Sequence, residues 1–277
     1  MRRRSEDSDE VELQNETWWE SYTILTEGKF TYPNTALVAM ELDAEQFGSS
    51  IPERSYHVKG LRILVPSNYD PIRRKYTGVW DGTFKRAWSN NPAWVLYDLL
   101  TNDRYGLGEF VDDQKVEKWS LYQIAQYCDQ EVPSGYHNAD GSDIMEPRFT
   151  FNGVINTRDD AYKVLQTITT AFRGMAYWSY GRVYAAADMP QDPVKLITPS
   201  NVIGGHFKYA GTSMKARHSV ALVGWNDPAD HYRSAIEYVE NAEQLAKFGY
   251  RPLEMQAVGC TSRGQARRHG KWALDTE

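Results

Sequence analysis

The fold is decided first in residues 88–108, which read WSNNPAWVLYDLLTNDRYGLG. Asn91-Pro92 predicts a helix start, because an Asn side chain accepts hydrogen bonds from free backbone N–H groups and proline at the first helical position removes no donor that the helix needs. Apolar residues then recur at helical spacing from Val95 to Leu100. Gly106 is typical of the residue that ends a helix. The stretch therefore predicts one short buried helix in the middle of the chain.

Two further helices follow, each with its apolar residues along one face. The first has this stripe between Leu121 and Cys128, and the second has it between Ala161 and Phe172. Thr157 and Asp160, three residues apart, resemble a capping box at the start of the second helix, with Asp in place of the usual Glu, and Gly174 is expected to end it. Such one-sided helices need a sheet or another helix to cover them, so the middle of the chain is predicted to be a packed helical unit.

Strand-like segments rich in β-branched and aromatic residues lie on both sides of this helical middle. Asn241 is predicted to cap a short helix that Gly249 closes, and Thr261 or Ser262 to cap a last helix that runs to the end of the sequence. A hairpin is predicted to turn at Gly181. The predicted strands are 21–25, 35–42, 55–65, 148–151, 175–180, 182–187, 205–209, 217–225, 234–239 and 252–258.

The composition is that of an ordinary globular protein, with 41% hydrophobic and 25% charged residues among 277. The net charge of −6 argues against a protein that wraps nucleic acid, which needs a basic face. Aromatic residues make up 13% of the chain, and three readings of them stay open: core, subunit interface, or sugar-binding platform. Cys128 and Cys260 are expected to be buried reduced thiols, although one disulfide is possible. No apolar run reaches the length of a membrane span.

Motifs that carry chemistry are missing from the sequence. It contains no phosphate-binding GxxxxGK[ST], no HExxH and no GxSxG. Asp227, Asp230 and His231 could hold a metal, but Pro228 between them favours a turn. Residues 138–143 only faintly resemble a calcium loop and are expected to form a polar surface loop. We therefore predict no catalytic, cofactor-binding or metal-ligating residue. The basic cluster Arg263, Arg267, Arg268 and Lys271 is expected to be solvated or to contact acidic residues.

Several blocks spread from Tyr32 to the end of the chain resemble, in their order and spacing, the tail tip family of long-tailed phages, known as the host-specificity protein J family of lambda-like phages. The residues that carry this resemblance are Pro33, Asn34, Trp80, Asp81, Gly82, Asn91, Pro92, Trp94, Asn102, Asp103, Tyr105, Gly106, Gly108, Phe172, Arg173, Gly174, Cys260, Ser262 and Arg263. The segment 132–144 looks least like the family and is expected to be a loop.

The resemblance implies a structural virion protein without catalytic residues or cofactors. It implies a homotrimeric hub at the distal end of the tail, made in the host bacterial cytoplasm, which contacts other tail proteins, closes the tube and lets DNA pass without binding it specifically. The host surface would be contacted through a C-terminal part that lies beyond this fragment. A tail-associated glycan hydrolase and a carbohydrate-binding module remain as alternatives.

With this resemblance, the β-rich ends and helical middle predict an α+β fold in which a barrel-like hub domain carries an inserted helical module. Segments 17–75 and 203–260 are expected to pair in the discontinuous hub domain, and 76–202 to form the insertion. Residues 1–16 are expected to be a disordered arm. Residues 261–277 are expected to be the truncated start of a C-terminal helix.

Overall fold

The computed structural model describes residues 22, 24, 28–32, 35–48, 51–155, 160–211, 213 and 216–277. The chain divides into two units, Met1–His57 and Val58–Glu277. Two of the sequence predictions, the arm at 1–16 and most of the strand at 21–25, lie outside the described residues. So do the motif residues Pro33 and Asn34.

In the first unit, the described backbone contains one helical turn, α1 (Ala44–Phe47). The segment 35–42, predicted as a strand, carries no strand assignment, and its apolar side chains are exposed. That prediction was wrong because strand-forming side chains do not make a strand unless a neighbouring backbone satisfies their N–H and C=O groups.

The second unit mixes helices with small sheets and is α+β, as predicted. Groups of strands and helices follow one another along the chain, and short 3₁₀ turns join some of them. The elements are β1 (Arg62–Pro66), β2 (Tyr69–Asp70), β3 (Lys75–Tyr76), β4 (Phe84–Trp88), α2 (Pro92–Thr101), α3 (Lys118–Asp129), β5 (Glu131–His137), β6 (Asp143–Pro147), α4 (Ala161–Thr170), β7 (Gly174–Ser179), β8 (Arg182–Ala187), β9 (Val220–Asp227), β10 (Arg233–Glu240), α5 (Ala242–Phe248), β11 (Pro252–Gln256) and α6 (Arg263–Thr276).

Most of these strands form two-stranded antiparallel sheets, and in one of them, β1 with β4, the two strands are separated in the chain by β2 and β3. The pairs are β1 with β4, β2 with β3, β5 with β6, and β7 with β8. The largest sheet has the order β10-β9-β11, in which β9 is antiparallel to β10 and parallel to β11. Among the described strands, no sheet closes into a barrel.

The main core lies where α2, α3 and α4 meet the β1–β4 sheet and the β7–β8 hairpin. α2 begins at Pro92 after its N-cap Asn91, as the sequence predicted. The stripe on α3 is buried as expected, with Leu121, Ile124 and Cys128 inside. Trp80 and Trp94 are buried in this core with ring centroids 6.0 Å apart. Many of the aromatic residues therefore serve as core.

A second core lies between α6 and the three-stranded sheet. Ala266 and Leu274 of α6 pack against Ala221, Val223 and Val239. Gly270 permits this close approach, because a Cβ there would lie 2.8 Å from Cγ2 of Val223. α5 and α6 begin at their predicted caps, Asn241 and Ser262.

Some expected strands and loops differ from the structure. Residues 205–209 and 148–151 carry no strand, and the strand expected over 55–65 is confined to 62–66. The loop expected over 132–144 is instead the hairpin β5–β6, with only 138–142 as its turn. Its alternation is broken by Pro133 and Gly135, so the sequence pattern did not indicate a strand.

The expected pairing of 17–75 with 203–260 does not occur among the described strands. β1 pairs with β4 across the expected boundary at 75/76, and β9, β10 and β11 pair with one another. The discontinuous hub domain therefore stays a prediction without a shared sheet to support it. Within the described part of the chain, no helix is both long and apolar enough to span a membrane.

Candidate assembly interface

The motif at Trp80-Asp81-Gly82 forms the turn that leads into β4. The Asp81 carboxylate accepts hydrogen bonds from the hydroxyl and the backbone N–H of Thr83, at 2.6 and 2.9 Å, and these bonds lower its pKa. Gly82 has a φ of 85°, which glycine adopts without steric cost. The indole N–H of Trp80 donates to the Thr83 carbonyl at 2.6 Å. These residues fix a turn.

Asn91 begins α2 and also ties it to α3. Its side-chain oxygen accepts from the Ala93 N–H at 3.0 Å, while its amide group donates to the Ala125 carbonyl at 2.9 Å and to Asp129 at 2.8 Å. Pro92 occupies the first helical position. The Asn91-Pro92 pair is thus a helix cap that also joins two helices.

Asp129 is the centre of a buried polar network next to this cap. Its carboxylate forms an ion pair with Arg74 at 2.6 Å and accepts from the Tyr76 hydroxyl at 2.9 Å. The Trp94 indole N–H donates to the same hydroxyl at 3.1 Å. Burial raises the pKa of Asp129, and Arg74 opposes that rise. The network joins β3, the start of α2 and the end of α3, so it holds these elements together.

Asn102 ends α2 and folds the next residues back over it. Its carbonyl accepts from the N–H groups of Gly106 and Gly108, at 3.0 and 3.1 Å. A Cβ on Gly106 would lie 2.1 Å from the Leu99 carbonyl oxygen, and one on Gly108 would lie 2.3 Å from Oδ1 of Asp103. Both positions require glycine, because neighbouring atoms of the chain approach so closely that a Cβ would clash with them.

Tyr105 closes the same loop onto α2. Its hydroxyl donates to the buried Asp98 carboxylate, which also accepts from the Leu64 N–H at 3.1 Å. Burial raises the pKa of Tyr105, and the bond to Asp98 raises it further. The Tyr105 contact joins the loop, the helix and strand β1.

Phe172-Arg173-Gly174 links α4 to β7. Phe172 is fully buried, and a Cβ on Gly174 would lie 2.2 Å from its ring. Arg173 has a φ of 56°, donates to the Arg268 carbonyl at 2.8 Å and lies 5.4 Å from the Trp272 ring. Burial lowers the pKa of Arg173 to about 10. This motif anchors the helical core against α6.

Cys260 and Ser262 lie directly before α6, and Ser262 is its N-cap. Cys260 is a buried free thiol, as the sequence predicted, and burial raises its pKa to about 11. The Ser262 hydroxyl accepts from the Gln265 N–H at 3.1 Å and donates to Glu146. The residue at the N-cap is therefore Ser262, one of the two expected.

The basic cluster on α6 contacts acidic residues, one of its two expected outcomes. Arg263 pairs with the buried Glu237 at 2.7 Å, and Arg268 pairs with Glu146 at 2.5 Å. Arg263 also lies 4.5 Å from the Tyr136 ring. These contacts fasten the β5–β6 hairpin and β10 to α6.

The described motif residues do not converge on one cleft: they cap helices, close turns and fill cores. The segment with Asp227, Asp230 and His231, which the sequence offered as a weak metal candidate, is a turn. In this turn the Asp227 carboxylate accepts a hydrogen bond from the Ala229 N–H at 2.9 Å. Among the described residues, no group of three or more His, Cys, Asp or Glu side chains could hold a metal. Two surface hollows of about 470 and 480 Å³ are lined mostly by polar side chains of α5, α6 and the segment after β8.

Sequence reasoning missed an exposed apolar face on the β7–β8 hairpin. Met175 and Tyr177 lie on the face opposite the one packed on α3 and α4, and are 64% and 47% exposed. Tyr177 stacks on its cross-strand partner Tyr184, with ring centroids 5.6 Å apart. The available signal was the pattern of β7, whose outward positions hold Met and Tyr where a solvated strand carries polar residues. We call this surface the hairpin face.

A second apolar face covers the side of the three-stranded sheet away from α6. Ile236 is 71% exposed and Tyr238 49% exposed, and Tyr238 lies opposite Leu222 of β9. Two exposed carboxylates, Glu240 and Glu254, border them. We call this surface the sheet face.

Known proteins similar to this chain come from tailed phages. A family described as "Putative phage tail protein" matches residues 160–277, which contain both faces. The chain is 42% identical over 276 residues to the tip attachment protein J of Escherichia phage SECphi27, and 39% identical over 275 residues to that of Escherichia phage SECphi4. These alignments cover 100% and 99% of the chain but 23% and 24% of the relatives. The chain thus spans about a quarter of their length.

Proposed function

We propose that this chain, which belongs to the tip attachment protein J family, is a structural part of a phage tail tip that takes part in host attachment and DNA delivery. The observation that carries the proposal is the contrast between what the motif residues do inside the fold and which side chains are exposed on its surface. The described motif residues build the fold, whereas many large apolar side chains stay exposed, and some of these lie together on the hairpin face and the sheet face. Contiguous exposed apolar surface is typical of a subunit that is covered in an assembly.

The finer proposal is a homotrimeric central hub that closes the tail tube. Heterologous contacts between copies generate closed rings, and two different apolar faces on one chain are what such contacts need. A barrel-like hub domain, discontinuous over 17–75 and 203–260, would then be a property of the assembled protein, with 76–202 as its insertion. Other tail proteins and the host surface would be contacted by the complete protein.

DNA would pass this hub without specific binding. The chain has 37 acidic and 31 basic residues, and a wall of the same charge sign as DNA does not retain it. Six basic residues of the described chain moreover pair with carboxylates within it, namely Arg74, Lys115, Arg182, Arg233, Arg263 and Arg268. These pairs leave less positive charge for phosphate contacts.

The proposed location is the tail tip of the virion, after synthesis in the host cytoplasm. Immunogold labelling of purified virions that encode this chain, with an antibody raised against it, should mark the distal end of the tail. Label on the capsid or along the whole tube would contradict the proposal. An antibody against a capsid protein of the same virion serves as the control.

A glycan-directed role is tested on the chain itself. The proposal expects no release of product from purified peptidoglycan or capsule and no saturable glycan binding. Product release that one Asp or Glu substitution abolishes would replace the structural proposal with a hydrolase. Saturable binding that depends on exposed Trp178 or Trp119 would replace it with a carbohydrate-binding module.

A further inference from the structure

We propose that the hairpin face of one copy packs on the sheet face of the next copy, so that this pair of surfaces is the contact through which the chain assembles with itself. The inference rests on the proposed function and deepens it by naming the surfaces. It concerns only the second unit of each copy.

Both faces break the pattern expected of a solvated sheet. A sheet with one covered side normally alternates apolar residues inward with polar residues outward. The covered sides obey this rule, since Val183 and Ala185 of β8 point to the main core and Val223 and Val239 point to α6. The outward positions do not, because they hold Met175 and Tyr177 on one face and Ile236 on the other. If a partner buried these side chains, the removal of their apolar surface from water would stabilise the complex.

The charges on the two faces are complementary. Arg182 lies at the end of the hairpin face, 53% exposed and 3.5 Å from Glu117. The hairpin face has no carboxylate among its outward strand positions, which are Met175, Tyr177, Ser179, Arg182, Tyr184 and Ala186. The sheet face instead has Glu240 and Glu254 beside its apolar centre. A cation at one edge and carboxylates at the other favour contact between unlike faces over contact between like ones.

The size of the hairpin face also fits a subunit contact. Tyr180, at the turn of the hairpin, extends its apolar surface and is 97% exposed. Trp178 lies on the opposite, core-facing side, where it pairs with Val183. With Met175 and Tyr177, Tyr180 presents roughly 500 Å² of side chain, against the ~800 Å² that one partner contributes to a standard interface. The neighbouring backbone and Arg182 would supply the remainder. A second copy of the chain is therefore large enough to cover the hairpin face.

The test measures the mass of the chain by light scattering over a concentration series. Wild type should associate with rising concentration, whereas Tyr177→Lys and Ile236→Lys should each stay monomeric, because a lysine charge cannot be buried without a partner. Ile203→Lys is the matched control, since Ile203 is fully exposed outside both faces, and it should associate like wild type. Circular dichroism establishes that each variant is folded.

A mixture of the two lysine variants distinguishes contact between unlike faces from contact between like faces. A Tyr177→Lys copy keeps its sheet face and an Ile236→Lys copy keeps its hairpin face, so an equimolar mixture should form dimers although neither variant associates alone. If hairpin met hairpin, Ile236→Lys alone would still associate, and the inference would be overturned. Arg182→Glu should weaken association about ten-fold or more, and Glu254→Arg in the same chain should restore it.

The outcomes distinguish the inference from the proposed function. A monomeric wild type at every concentration, or association that neither lysine variant changes, overturns the inference even where immunogold labels the tail tip. Label elsewhere on the virion contradicts the proposed function and leaves the measured contact intact. If Tyr177→Lys does not fold, Met175→Glu tests the same face.

Discussion

Gln265 on α6 and Thr150, which lies 115 residues earlier in the chain, are joined by three hydrogen bonds. The Gln265 Oε1 accepts from the backbone N–H and the hydroxyl of Thr150 at 2.9 and 3.1 Å, and its Nε2 donates to the Thr150 carbonyl at 3.0 Å. Both residues are buried. One side-chain amide thus takes the place of a neighbouring strand for Thr150, which belongs to no sheet.

Replacing this amide should cost stability. Gln265→Leu leaves the backbone N–H and C=O of Thr150 buried without partners, so the free energy of unfolding should fall by about 3 kcal/mol. Urea denaturation measures the change. Gln123→Leu, on the exposed side of α3, should change it by less than about 0.5 kcal/mol. Equal effects in the two variants would show that the three bonds contribute nothing specific.

His269 should make the fold sensitive to acid. Burial, and then the nearby Arg173 and Arg268, lower its pKa from 6.5 to about 3. The folded chain therefore binds fewer protons than the unfolded chain between these values, and stability falls as pH falls through that window. Between pH 7 and about 4.5 this residue should cost roughly 2–3 kcal/mol.

Removing the imidazole tests this assignment. In the His269→Gln variant, the free energy of unfolding should fall less between pH 7 and about 4.5 than in wild type. The pH dependence that remains would come from other titratable groups and should be the same in both proteins. The measurement is urea denaturation of both proteins at the two pH values. A wild type and a variant with parallel pH profiles would mean that the pKa of His269 is the same in the folded and unfolded chains, which would contradict this assignment.

Gly106 should not tolerate a methyl group. Gly106→Ala places Cβ 2.1 Å from the Leu99 carbonyl oxygen and 2.9 Å from that of Asn102. Both atoms belong to the backbone at the end of α2, so the loop must move and its bonds to Asn102 must lengthen. We expect a loss of about 2 kcal/mol or more, measured as a lower melting temperature. Gly60→Ala is the control, because nothing lies within 4 Å of its Cβ position, and a similar loss there would contradict the explanation.

The two thiols should be unreactive in the folded chain. Burial raises the pKa of both Cys128 and Cys260, and only the thiolate attacks a disulfide reagent. Ellman's reagent should therefore label neither residue at neutral pH until guanidinium is added, when two equivalents should react. Fast labelling of one thiol without denaturant would mean that its core opens locally.

Local signals predicted the helices well. The predicted caps Asn91, Asn241 and Ser262 are all observed, because capping depends on residues a few positions away. The capping box expected from Thr157 and Asp160 differs from the structure, in which Asp160 itself is the N-cap of α4 and Thr157 lies outside the described residues. The predicted hairpin turn at Gly181 is also present, with a φ of 74°. These features are decided within one or two turns of chain, and a single sequence contains that information.

Strand partners were not predictable in the same way. Segment 35–42 has the side chains of a strand and pairs with none of the described strands, whereas 131–137 contains Pro133 and Gly135 and still pairs with β6. Pairing depends on distant backbone, as the α6 contacts of the β5–β6 hairpin illustrate. The two apolar faces escaped detection for the same reason, since outward and inward positions are defined only once the covering helix is known.

The position of α6 has a consequence for biosynthesis. Glu146 and Thr150 find their partners on a helix made more than 100 residues later, and at ribosomal rates of about 5–20 residues per second that interval lasts roughly 10 s. During it the nascent chain holds β5–β6 without the helix that fastens it. Codon choice or a chaperone that alters this delay should therefore change the yield of native chain without changing a single amino acid.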